Sequence, residues 1–259
     1  MYNIDIINFT YNEPSIYSEY IYDVSKIAKK ENIKIILISN GYLTDEAIDF
    51  MSKYVDAVTI DIKGNGNEEF ARKYISIISY EPVFNTIEEL YKKNIHLEIT
   101  DLVIPEIGDN LEDAKKLAKI LYDIMGENSN IHFLRFFPEY KLDYLYPTPI
   151  ETLHKHVEIA KKEGIRYVYI GNLPGNEYEN TYCPNCRKPL IKRYQFTVYE
   201  TNLNKDRCIF CGYKIYLSGE PKISEISYPL YVKINKKFIE RKIKDGEVIE
   251  KEITIDSLF

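Results

Sequence analysis

Residues 56–64 read DAVTIDIKG. Val, Thr and Ile make a short β-forming run, and Gly64 ends it. Asp61 and Lys63 stand two apart at that end, so the period of a strand puts both side chains on one face. The same arrangement recurs on either side. Upstream, NIDIINF (3–9) leads to Asn12 and Glu13, and KIILIS (34–39) leads to Ser39 and Asn40. Downstream come HLEITDLVIP (96–105), IHFLRFF (131–137) with Arg135, and RYVYIGN (166–172). Helical patterns fill the gaps. SIYSEYIYDVSKIAKKEN (15–32) repeats apolar residues at three and four spacing, with Ser15 as expected cap. TDEAIDFMSKY (44–54) is capped by Thr44, and NEEFARKYISII (67–78) and TIEELYKKN (86–94) follow. LEDAKKLAKILYDIMG (111–126) and IETLHKHVEIAKKEG (150–164) are amphipathic helices ending at glycines.

Near-continuous apolar strands separated by helices imply a parallel sheet with helices packed on it. Five strand–helix units and a sixth strand fit a barrel or part-barrel. In such a fold the C-terminal ends of the strands converge on one ligand-binding face. That face gathers Asn12, Glu13, Ser39, Asn40, Asp61, Lys63 and Arg135. Taken singly, each motif has a plainer use. Asp61–Lys63 is also a salt bridge, SNG (39–41) a turn, and NEP (12–14) a helix start with Pro14 near its first position. Three successive strands ending in polar groups favour a site, and an inward Asp–Lys pair suits a zwitterion or a ribose hydroxyl. The four histidines carry no such pattern. His132 reads as a core or rim residue, His96 opens a strand without an evident partner, and His154 and His156 face different ways on a helix.

The 259 residues carry a net charge of −6 and no basic run, which argues against binding nucleic acid. No apolar stretch reaches the length of a membrane span, and no signal peptide opens the chain. A cytoplasmic protein is expected, without membrane contact.

All four cysteines fall late, in TYCPNC (181–186) and RCIFCG (207–212). Two CxxC knuckles, Cys183/Cys186 and Cys208/Cys211, complete a tetrahedral four-sulfur site for one ion. Zinc is the default, and a rubredoxin-like iron site uses similar knuckles. The strand-like segment between them fits a zinc ribbon. The expected domains are a partial (β/α) barrel over 1–172, a zinc-ribbon module over 173–218 and a β-rich tail over 219–259. In the tail, Asp245-Gly246 marks a hairpin turn among two or three strands.

TYNEP (10–14), ISNGY (38–42), IDIKG (60–64), RFFPEYK (135–141) and YIGNLPGNEYENTYCPNC (169–186) resemble the AmmeMemoRadiSam-system radical SAM proteins. These are relatives of pyruvate formate-lyase activating enzyme. The resemblance implies an α/β fold, a partial (β/α)6 barrel binding S-adenosylmethionine (SAM) across its strand ends beside a [4Fe-4S] cluster. It places Asn12 and Glu13 in the motif that contacts the methionine amino group, and Ser39/Asn40 and Asp61/Lys63 in the next two strand motifs. It also implies reductive cleavage of SAM to a 5′-deoxyadenosyl radical, and AMMECR1-like and Memo-like partners. Phe137 stands where the family often has His, and Glu106 where it often has Gly. The family's cluster loop, CxxxCxxC, has no counterpart here. The expectation is therefore a barrel missing its first β/α unit: the C-terminal, SAM-binding part of a radical SAM enzyme. Its cluster cysteines would come from a companion chain or a longer N-terminus. The alternative is a non-catalytic zinc-binding scaffold derived from that family.

Overall fold

The computed structural model describes residues 4–224 and the strands 230–234, 237–244 and 247–253. The chain divides into two compact units, Met1–Leu173 and Pro174–Phe259. Among the described residues no helix is long and apolar enough to cross a membrane.

The first unit alternates strand and helix: β1 (Ile6–Phe9), α1 (Ser18–Ala28), β2 (Lys34–Ser39), α2 (Asp45–Met51), β3 (Ala57–Lys63), α3 (Glu68–Phe70), α4 (Glu81–Lys92), β4 (His96–Val103), α5 (Leu111–Met125), β5 (Asn130–Arg135), α6 (Ile150–Lys162) and β6 (Tyr167–Gly171). The strands form one six-stranded sheet in chain order, and every neighbouring pair is parallel. Right-handed crossovers between sequential neighbours return each helix to the same face. Burial follows that rule. Val58, Ile60 and Ile62 of β3 and Leu97 and Ile99 of β4 are buried, while the residues between them keep partial exposure. The buried rows meet Ile21, Ile48, Val83, Ile87, Leu117 and Leu153 from the helices, each at 1% exposure or less. At about 1.5–3 kcal/mol per buried aliphatic side chain, this layer is the main source of stability. The opposite face carries no helix of this unit among the described residues.

Local chemistry sets most element ends. Thr44 Oγ1 accepts from Ala47 N (3.3 Å), and Gly126 and Gly164 close α5 and α6 at positive φ. Two expectations change. The first turn after β1 is a 3-10 turn, Pro14–Tyr17, capped by Glu13, whose carboxylate accepts from Ser15 N (3.2 Å). Ser15 therefore lies inside the turn rather than capping it. The stretch 67–78 forms only α3 and a π-helical turn, Ala71–Ile75, because Ser76 turns left-handed (φ 60°).

The sheet is open. β1 and β6 are its edges and have no further strand partner among the described residues.

The second unit holds three small antiparallel arrays. β7 (Thr181–Tyr182), β8 (Pro189–Tyr194) and β9 (Thr197–Thr201) form one, and β10 (Leu203–Asn204) pairs β11 (Arg207–Cys208). β12 (Leu230–Ile234), β13 (Lys237–Lys244) and β14 (Glu247–Ile253) form the third. The Asp245-Gly246 turn lies outside the described residues.

Asn130 shows how β5 joins the sheet. Its buried amide accepts from Ile99 N (2.9 Å) and donates to Leu97 O (2.8 Å), replacing a missing ladder pair. Asn130→Ala leaves both β4 groups unsatisfied. The expected cost is about 2–6 kcal/mol, since each orphaned buried group costs about 1–3. Urea unfolding of the variant checks it, and a loss of less than half the lower figure would contradict it.

Candidate functional site at the strand ends and a four-cysteine metal centre

β1 and β2 are tied together beyond their ends by one carboxylate. Glu13 accepts from Ser39 Oγ (2.7 Å) and Ser15 N (3.2 Å) through one oxygen, and from Asn40 N (2.8 Å) through the other. Ser39 Oγ in turn accepts from Gly41 N (3.1 Å). Gly41 is required here. It has φ 71°, and a Cβ would stand 2.9 Å from Ile60 Cγ2. Asn12 and Asn40 are exposed beside this knot.

β3 contributes the ion pair expected from its sequence. Lys63 Nζ bonds Asp61, which also accepts from Thr100 Oγ1 of β4 (2.9 Å). Both charged side chains keep about a third of their surface open, at 34% and 31%. The backbone turn after Lys63 is held by buried Tyr80, whose hydroxyl donates to Lys63 O (2.7 Å). Burial raises the pKa of that phenol and keeps it a donor. Gly64 follows at φ 63°, and a Cβ there would lie 2.6 Å from the Phe70 ring.

Six of the seven expected mouth residues therefore sit at three adjacent strand ends. Arg135 is engaged differently. Its Nε donates to Thr148 O (3.0 Å) and its guanidinium lies over Phe137, 5.0 Å from the ring centre. Phe137 thus packs against the strand-end arginine.

The sequence reading missed a second polar group. Glu98 lies on the same face of β4 as Thr100 and accepts from two imidazoles, His96 Nε2 (3.0 Å) and His132 Nε2 (2.7 Å). His132 also stacks on Tyr169 of β6, 4.4 Å between ring centres. Burial opposes ionisation of Glu98, but the hydrogen bonds and charge of His132 and His96 outweigh it and bring the carboxyl to about 2. His96 therefore has a partner two residues away, and His132 faces a charged cluster rather than the core. Strand alternation from Thr100 back to Glu98 and His96 was the available signal. The link to His132 needed the register. His156 behaves as expected of a core histidine: it is buried and bonded to Thr152 O (2.8 Å), and burial lowers its pKa.

A further polar feature is Asp101, fully buried on the helix side. It accepts from Asn65 N (3.0 Å), and its second oxygen has no protein partner.

In the second unit the four cysteine sulfurs lie within 4.8 Å of one another. Cys183–Cys211 and Cys186–Cys208 are 3.6 and 3.7 Å apart. Four thiolates at about 2.3 Å from one tetrahedral ion stand about 3.8 Å apart, so the donors fit a single metal ion. They are too close to bind the separate irons of a cubane cluster. Burial pushes the Cys183 thiol up to about 12, while the Asn185 side chain and Tyr213 N–H hold Cys211 down at about 6.

A model of the Radical SAM superfamily matches residues 1–121. The matched stretch lies within the first unit. An uncharacterized protein of Methanocaldococcus jannaschii is 43% identical over 216 residues, 83% of this chain and 63% of its own length. The 7-carboxy-7-deazaguanine synthase of that organism is 30% identical over 118 residues, 46% of each chain. The chain therefore spans less than two thirds of the length of either relative. Two solved structures share the fold. A domain of pyruvate-formate lyase-activating enzyme from Bacteroides vulgatus matches with TM-score 0.56 at 17% identity, covering 64% of this chain and 98% of that one. A radical SAM methyltransferase from Sphaerobacter thermophilus matches with TM-score 0.50 at 13% identity, covering 62% and 49%.

Asp101 gives a pH test. Burial, with the Asp61 charge adding to it, raises its carboxyl to about 7. An acid raised above its unfolded value of about 3.9 favours folding at low pH, and that contribution is lost as pH climbs from about 4 through about 7. Asp101→Asn keeps the acceptor for Asn65 N and cannot ionise. Its melting temperature should gain on the wild type between about pH 4 and 7 and level off above. A constant difference across that range would show that Asp101 is ionised throughout.

Proposed function

We propose that the first unit binds S-adenosylmethionine across the ends of β1, β2 and β3, as the SAM-holding part of a radical SAM enzyme. The observation that carries this reading is three polar strand ends side by side within the stretch that a Radical SAM superfamily model matches. The chemistry of the groups suits the ligand. Asp61 and Lys63 satisfy each other at a part-exposed position and can exchange that pairing for the ammonium and carboxylate of an amino-acid end. Asn12 and Asn40 offer amide donors and acceptors beside them. Glu13 holds two strand ends in register and adds negative charge where an ammonium would lie. Arg135, with its Nε committed to Thr148, contributes its remaining guanidinium N–H groups at the outer rim. When bound beside a reduced [4Fe-4S] cluster, SAM supplies a 5′-deoxyadenosyl radical for hydrogen abstraction from a substrate.

The residues present do not fit that cluster. All four cysteines belong to one single-ion site, and none occurs among the first 182 residues. The cluster thiolates would come from a CxxxCxxC segment outside these residues, in a longer polypeptide or in a companion chain. The edge of β1, which pairs with no further strand among the described residues, supports this. Ile4 and Ile6 are 53% and 52% exposed, and α1 and the turn before it expose Ile16, Tyr20 and Ile27. A docked strand–helix unit would cover that apolar surface. Zinc is the proposed occupant of the four-cysteine site, within a ribbon module over 173–218 that is followed by the tail over 219–259. AMMECR1-like and Memo-like partners, by family association, and a cytoplasmic location complete the reading.

The absence of cluster thiolates also favours a second reading, a zinc-bearing scaffold that has kept the fold without the chemistry. Calorimetric titration with SAM separates the two. The radical SAM reading expects saturable binding, weakened roughly tenfold or more by Asp61→Asn or Lys63→Met, the loss expected for one charge-assisted contact. A folded wild type that shows no binding would leave the scaffold.

A further inference from the structure

The helix-free face of the sheet carries a polar band that the SAM reading does not use. Register aligns Asp61 with Thr100, Thr100 with His132, and His132 with Tyr169. These four residues form one row across β3, β4, β5 and β6. Glu98 sits one row below, opposite Thr59, and reaches His132 in the row above. The band therefore starts at the Asp61–Lys63 pair and ends at the far edge of the sheet.

Glu98 is the centre of this band. A carboxylate offers about four acceptor directions, two on each oxygen. His96 Nε2 donates to Oε1 and His132 Nε2 to Oε2, so one direction remains on each oxygen. The Glu98 side chain keeps 35% of its surface open and His132 keeps 30%. A purely structural lock between β4 and β5 would need only the one bond to His132. Here a second imidazole from β4 itself fixes the other oxygen, and Tyr169 fixes the plane of His132. The result is a carboxylate fixed through both oxygens whose side chain keeps part of its surface open. No lysine or arginine among the described residues is paired with it. Lys63 is already paired with Asp61, and among the described residues only the two imidazoles bond Glu98.

We propose that Glu98, oriented by His96 and His132, is a binding site for a planar group presenting two parallel N–H donors on an N–C–N edge. Two kinds of ligand carry that edge, a guanidinium and a 2-amino nitrogen heterocycle. Both match a carboxylate in a fork of two bonds, and both stack on flat rings such as those of His132 and Tyr169. The site deepens the radical SAM reading, since it places the substrate's recognition group on the face that the strand-end cofactor residues border. It does not require SAM for its own binding.

The test is an NMR titration of the ring resonances of the four histidines, assigned by single His→Asn variants. Methylguanidinium chloride and isocytosine are the probes, added separately and without SAM. Saturable shifts of His96 and His132, with His154 still, are expected for at least one probe. Methylguanidinium alone assigns the site to a guanidinium, and isocytosine alone to an amino heterocycle. Glu98→Gln should weaken binding roughly tenfold or more, the loss of one charge-assisted fork. Glu98→Asp serves as the second variant should Gln not fold, and by pulling the carboxylate back it should weaken binding too. No saturable shift in a folded protein, or equal binding by a folded Glu98 variant, would overturn the proposal. Because SAM is absent, failure here leaves the SAM reading untouched. Failure of SAM to bind while a probe binds Glu98 would sink that reading alone.

Discussion

Strand order is the constraint on which everything else in the first unit rests. Six parallel strands lie in chain order, so right-handed crossovers send every helix to one side. One face becomes core and must be apolar, as Ile35, Leu37, Ile60, Ile62, Leu97 and Ile99 are. The other face is left for chemistry. Asp61, Lys63, Thr100, Glu98, His96 and His132 all lie there, at alternate positions to the core residues. A polar residue on the core side is the exception. Asp101 is there because Asn65 N and its own raised pKa make it tolerable.

The sequence reading worked where the signal was local. Apolar runs bounded by polar residues located all six strands, and the strand-end pairs Asn12/Glu13, Ser39/Asn40 and Asp61/Lys63 were read from position. Gly41 and Gly64 explain why those motifs end as they do, since each holds a left-handed backbone where a side chain would collide. The reading weakened where the structure depends on contacts distant in sequence. Glu98 and His132 are 34 residues apart and meet only through the pairing of β4 with β5. Seen along one chain, each looked like an isolated residue on a strand. Stretch 67–78 misled for a different reason: its apolar spacing suits a helix, but Ser76 breaks it in a conformation that periodicity does not register.

The four-cysteine centre is the converse case. Its chemistry was legible from spacing alone, and the sulfur geometry agrees with one tetrahedral ion. Its closeness also sets a limit on the first unit. Thiolates gathered within one ion's reach cannot serve a cluster that needs its irons held apart with one left open. The polar strand ends and the four-cysteine centre of this chain are therefore separate devices.

That separation is tested most directly by metal and acid-labile sulfide analysis of this 259-residue polypeptide, purified without oxygen and then offered iron and sulfide. The expected result is about one tetrahedral metal ion per chain and no sulfide, because the chain's cysteines form one four-sulfur site. A stable complement of about four irons and four sulfides on the chain alone, with the ion of the four-cysteine site still in place, would contradict it. It would mean that the first unit holds a cluster with ligands other than cysteine.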